Sequence, residues 1–209
     1  MAESKRFFTG PAAVLVDLLN PIALAGWSYV AYLVATSPPP HEAAIQPSLA
    51  LELICFVEVL RMVLSDLPGN LVLGAVLHSI RLLALTVILP RTDPANAWLA
   101  TAVLGAWAAT EVSRYPMYVV KGMGVARLLR MVVPMVTFPI GCGAEAYSAY
   151  LVFGQPGTTP VLKGALGLMI AVNALLGPTL AYPVIMTKGL QEMGIIKTKP
   201  KPKPKPKTT

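Results

Sequence analysis

Six stretches of this chain, near residues 12–36, 43–65, 69–90, 96–119, 125–153 and 161–187, are mainly apolar. Each is about 20 residues or longer, the length a helix needs to cross a hydrocarbon core about 30 Å thick. Nothing else in the sequence limits the fold as tightly. Inside lipid every backbone N–H and C=O must be bonded within the protein, so a spanning segment is a helix or a strand of a closed barrel. These runs lack the strict alternation of barrel strands. The sequence therefore predicts an all-α integral membrane protein, with six transmembrane helices in one bundle over residues 12–190. Composition agrees: 13% of residues are charged, against about 25% in a soluble domain.

Residues 1–11 form an N-terminal segment without the features of a cleavable signal peptide, and residues 191–209 form a Lys/Pro-rich tail that predicts an extended arm. The net charge of +7 invites a nucleic-acid partner, but six lysines lie in "KTKPKPKPKPKTT", and subtracting them from +7 leaves +1 for the body. The chain is expected to bind no nucleic acid; the tail suits anionic lipid head groups. Lys and Arg accumulate on the untranslocated side of a membrane. Lys5 and Arg6, Lys121 and Arg127, and the tail all fall on one side of six spans, with only Arg91 opposite, so both termini are expected on that side. Lys205 and Lys207 stand five and three residues from the end, a spacing similar to the dilysine retrieval signal of the endoplasmic reticulum. Cys55 and Cys142 lie within spans, and with no histidine at ligand spacing the sequence assigns no metal site and no cofactor.

Charges inside a span cost at least about 2.5–3.5 kcal/mol each near the centre, so they face the bundle interior and find partners. The second run carries Glu52, Glu58 and Arg61, and the fourth carries Glu111 and Arg114. Glu58 with Arg61, and Glu111 with Arg114, are three apart and share a helical face. His78 and Arg81 have the same spacing and no acid, which predicts a carboxylate on another helix. Glu145, in "TFPIGCGAE", has no base within four positions. Phe138 lies seven residues upstream, about 20° around the helix and about 10 Å along it.

Four stretches carry a resemblance. They are "LNPIALAGWSYV" with Asn20, Gly26 and Trp27; "VEVLRMVLSDLPGNLVLGAVLHSIR" with Glu58 and Arg81 near its two ends; "WAATEVSRYPMY" with Trp107, Thr110, Glu111, Arg114, Tyr115 and Tyr118; and "LRMVVPMVTFPIGCGAE" with Arg130, Pro139, Gly141 and Glu145. Over about residues 18–150 the chain resembles the very-long-chain (3R)-3-hydroxyacyl-CoA dehydratase family, also called protein-tyrosine-phosphatase-like. The resemblance implies a six-helix protein of the endoplasmic reticulum that eliminates water in the third step of fatty-acid elongation, giving a trans-2-enoyl-CoA. It places Glu145 as a catalytic residue and Glu58, Arg81, Glu111, Arg114, Tyr115, Tyr118 and Arg130 in the polar interior. It also places Phe138 where the family has its catalytic tyrosine, Arg61 where it has a histidine, and Met131 where it has a second tyrosine.

Elimination needs one group to take the α-proton and another to protonate or hold the leaving hydroxyl, each commonly worth about 10²–10⁴-fold. Phenylalanine can do neither. Two readings follow. In the first, the chain is a catalytically impaired, dehydratase-like accessory subunit of a membrane complex, with lipids and other membrane proteins as partners. That complex is made of elongation enzymes or is a larger organellar assembly, with the mitochondrial inner membrane as the alternative location. In the second, it is an active dehydratase of acyl-CoA substrates in which Tyr115, Tyr118 or a water held by Glu145 replaces the missing hydroxyl.

Overall fold

The computed structural model describes residues 11–64, 70–120 and 123–197. Among them the regular structure is helical, with no strand. Helix α1 spans Pro11–Thr36, α2 Glu42–Val63, α3 Leu71–Arg91, α4 Trp98–Arg114, α5 Gly124–Phe153 and α6 Pro160–Glu192. The N-terminal segment, Lys121 and the tail beyond residue 197, on which the expected sidedness largely rests, lie outside the described residues.

Five of these helices, α1, α2, α3, α5 and α6, are long and apolar enough to cross a membrane. The fourth differs from the continuous run expected over 96–119. Proline lacks an N–H and its ring clashes with the preceding turn, so Pro116 ends α4 after 17 residues, and a separate turn, Pro116–Val119, follows. This shorter helix is the most enclosed. It packs against α1 and, most extensively, α5, and Leu99, Val103, Leu104, Trp107 and Ala108 are buried. The core they share with Trp27, Leu85, Ile88, Leu166 and Met169 leaves other apolar side chains, such as Leu15, Val72, Val161 and Leu180, pointing outward.

Prolines inside helices free carbonyls four residues upstream, and two of these find new donors. Asn20 Nδ2 donates to the Asp17 carbonyl released by Pro21, at 3.4 Å. The Tyr182 hydroxyl on α6 donates to the Met135 carbonyl released by Pro139 on α5, at 3.1 Å, so a defect in one helix becomes a clasp to the next. Close approach is set by small residues. A Cβ at Gly26 on α1 would strike the Leu51 side chain on α2, and one at Gly189 on α6 would strike Met135 on α5.

Helices α3 and α6 each contain a widened π segment, Ala84–Ile88 and Val172–Ala181. Such segments are rare and occur frequently at functional sites. The second turns Asn173 inward, where it is buried.

The loop before α2 is fixed by His41, buried in the left-handed conformation with φ 59°. Its Nε2 is 2.6 Å from Thr101 Oγ1 on α4, and its Nδ1 is 3.3 Å from Ser37 Oγ. Burial lowers its pKa, against a smaller opposing contribution from Ser37. The unfolded chain therefore binds a proton that the folded one resists, and stability is full above the ordinary histidine range near pH 6.5 and falls as pH drops below it. Asn also tolerates the left-handed conformation but does not titrate. In thermal unfolding in detergent from pH 8 to 5, His41→Asn should lose about 1 kcal/mol at pH 8 and should lack the wild type's added decline below pH 6.5.

Candidate functional site

The buried charges meet on the facing sides of α2, α3 and α4. Glu52, fully buried on α2, accepts from His78 Nδ1 at 2.7 Å and from Arg81 Nη1 at 2.9 Å. Arg81 Nη1 also donates to Glu111 Oε1 on α4 at 2.8 Å. Arg114 Nε lies 2.8 Å from Glu111 Oε2 as an ion pair in which neither atom gains an aligned hydrogen bond. Arg114 reaches Glu58 through both terminal nitrogens, at 3.2 and 3.1 Å. Tyr115 OH accepts from Arg114 at 2.8 Å, donates to Glu58 at 3.2 Å, and is 3.4 Å from Cys55 Sγ. A planar guanidinium with several fixed donors suits such shared contacts better than a lysine ammonium.

Arg81 is further held by π faces. Its guanidinium carbon is 5.1 Å from the Trp107 ring centre and 6.0 Å from that of Trp27, within the range of a cation–π contact. Trp107 passes the connection on. Its indole N–H donates to Glu145 Oε1 on α5 at 2.7 Å, and Asn173 Nδ2 on α6 donates to Oε2 at 2.9 Å. Glu145 is 5% exposed. Gly141 makes this possible, because even a Cβ there would lie 3.3 Å from the Ala106 Cβ of α4, beside Trp107.

Behind Glu145, between α5 and α6, lies a largely apolar groove of about 450 Å³, bordered by Phe138, Cys142, Tyr147, Asn173 and Tyr182 among others. The Phe138 and Tyr182 rings are nearly parallel, 5° apart in plane and 6.2 Å between centroids. A Cβ at Gly177 would sit in ordinary contact, 3.5 Å from the Phe138 ring and 3.5 Å from Cys142 Sγ. Phe138 faces the groove, whereas Glu145 is not among its lining residues and is reached through Asn173.

A family model described as protein tyrosine phosphatase-like protein, PTPLA, matches residues 52–190. The chain belongs to this family, the very-long-chain 3-hydroxyacyl-CoA dehydratases. Comparison with curated proteins and with solved structures gave no match. The family match covers α2 to α6 and thus every link from Glu52 to Asn173.

Of the interior positions drawn from the family resemblance, Glu58, Arg81, Glu111, Arg114 and Tyr115 join one network. Tyr118 and Arg130 lie at its edge: Arg130 stacks on Tyr118 at 5.0 Å and donates to Met117 Sδ at 3.5 Å, and Tyr118 meets Tyr115 edge-on at 6.3 Å. Glu58 is held by Arg114 on α4. His78 and Arg81 do answer a carboxylate on another helix, and it is Glu52. Sequence reasoning missed Glu52 as the hub, and missed Asn173 and Tyr182 entirely. Asn173 had one usable signal, as a lone amide in the apolar run over 161–187.

Three potential metal donors also converge in a way that local spacing did not suggest. Atoms of Glu52, Cys55 and His78 lie within 4.8 Å of one another, all buried.

Replacing Arg81 with glutamine leaves two buried carboxylates facing each other, and breaking a buried pair costs about 3–5 kcal/mol. Arg130→Gln, at the edge of the network, should cost less than about 1 kcal/mol. Thermal unfolding in detergent should rank the two in that order.

Proposed function

We propose that this chain is a dehydratase-like membrane protein that keeps the family's scaffold and polar interior but is impaired in catalysis, and that it serves as an accessory subunit of a membrane complex. The observation that carries this is Phe138. It stands seven residues before Glu145, at the position the family resemblance gives to the catalytic tyrosine, and presents a bare ring to the groove. Both oxygens of Glu145 are engaged by Trp107 and Asn173, which suits a carboxylate held as part of the packing. The proposed architecture is a six-span bundle, counting α4, with both termini on one side. The proposed location is the endoplasmic reticulum, as in the family, with the mitochondrial inner membrane as the alternative. The proposed partners are membrane lipids and other membrane-protein subunits.

One observation favours the second reading, an active dehydratase of acyl-CoA. Tyr182 stacks on Phe138 and borders the same groove. It is a better substitute hydroxyl than Tyr115 or Tyr118, which belong to the ion-pair network and its edge. Its proton, however, is donated to the Met135 carbonyl.

The test is loss of 3-hydroxyacyl-CoA and appearance of the enoyl product with purified protein. The wild type should turn over slowly or not at all. Phe138→Tyr restores one oxygen at little change of volume and should raise the rate by about 10²-fold or more, and Glu145→Gln in that background should abolish the gain. Fast turnover by the wild type that Glu145→Gln and Tyr182→Phe each abolish would establish the second reading instead.

The six-span arrangement predicts that tags on the two termini are both accessible, or both protected, when sealed vesicles are treated with protease. One accessible and one protected tag would exclude it.

A further inference from the structure

Three carboxylates, Glu52, Glu58 and Glu111, are linked to two guanidiniums, Arg81 and Arg114. At one end of that network Glu52 lies beside two other buried donors, Cys55 and His78, with one ligand atom from each residue within 4.8 Å of the others.

We propose that Glu52, Cys55 and His78 bind a single Zn²⁺ ion. The donor set is one carboxylate oxygen, one imidazole nitrogen and one sulfur, the ligand types zinc takes in tetrahedral sites; a mixed set with a thiolate disfavours calcium and magnesium, which take oxygen ligands. Glu52 and Cys55 are three apart on α2 and project on one face, and His78 approaches from α3, so the ion would join two helices. Zinc ligands at about 2.0–2.3 Å from a common centre lie about 3.5 Å apart. The observed separations, from 2.7 Å between His78 Nδ1 and Glu52 Oε2 up to the 4.8 Å limit of the cluster, differ from that spacing by about 1 Å.

The surroundings fit a metal site in two further respects. Ligating carboxylates are themselves usually hydrogen-bonded, and Arg81 already donates to the second oxygen of Glu52 at 2.9 Å. Three protein ligands leave a fourth position, and the Tyr115 hydroxyl lies 3.4 Å from Cys55 Sγ. Tyr115 and Glu58 line a small cleft between α1 and α2. Zinc brings two positive charges, and on binding the Cys55 thiol releases its proton to solvent and becomes a thiolate.

The experiment uses the full chain purified in mild detergent, stripped with a chelator and loaded with Zn²⁺ or with Co²⁺ as a spectroscopic stand-in. The expected result is one metal ion per folded chain by mass spectrometry, with a thiolate-to-cobalt charge-transfer band and the intense visible bands of a tetrahedral ion. Cys55→Ser changes a single atom; it should remove the charge-transfer band and weaken zinc binding at least about tenfold, since even outer-shell partners are commonly worth 10–100-fold. His78→Gln should weaken binding similarly, and Cys142→Ser should leave both readouts intact. A folded wild type that takes up no cobalt overturns the proposal, as does unchanged affinity in Cys55→Ser or loss of the band in Cys142→Ser.

Discussion

The Arg81 guanidinium is the element on which the interior depends. It is a permanent cation in an apolar bundle, and two carboxylates from two different helices share one of its nitrogens. Removing such an ion from water costs several kcal/mol, and the surrounding structure is arranged to offset that cost. Glu52 and Glu111 supply the countercharge, Trp27 and Trp107 supply polarisable faces, and α1, α2, α3 and α4 are thereby held in one mutual orientation. Packing of Leu, Val and Ala could be satisfied by many rotations of these helices in lipid. The charged contacts are satisfied by few.

From that centre the structure leads outward through Trp107 to Glu145 and Asn173. The family's chemistry calls for a carboxylate and a phenol at one surface. Here Glu145 lies behind the Asn173 amide, and Phe138, one of the rings that border the groove, carries no oxygen. The groove lies where the widened segment of α6 passes Phe138.

The helical class and the approximate ends of the helices were legible in the sequence, because an apolar run of spanning length admits few folds. The end of α4 was also written there, in Pro116, although the hydrophobic run continues past it. The requirement that His78 and Arg81 find an acid on another helix could be read from the cost of burying them. Which acid could not: Glu52 has no base at helical spacing, so nothing local marks it as more than one of three charges in the second run. Asn173 and Tyr182 were hidden for a different reason. The π segment at Val172–Ala181 rotates them away from the direction a 3.6-residue period assigns, and their partners, Glu145 and the Met135 carbonyl, become visible only once α5 and α6 are side by side. Family resemblance supplied the remaining interior positions without supplying their connections.

Helix α5 has 30 residues and α6 spans 33, so at 1.5 Å per residue they measure about 45 and 50 Å. The hydrocarbon layer is about 30 Å thick. Such hydrophobic mismatch is relieved by tilting, kinking or local thickening of the bilayer, and it sorts proteins between thin and thick membranes. These two helices are tied near one end, where Arg127 meets Glu192 at 3.0 Å with the arginine mostly exposed. Because α5 and α6 also pack along their length, with Tyr182 bonded to the Met135 carbonyl, any surplus length is met by the two helices together, through a shared tilt or bend.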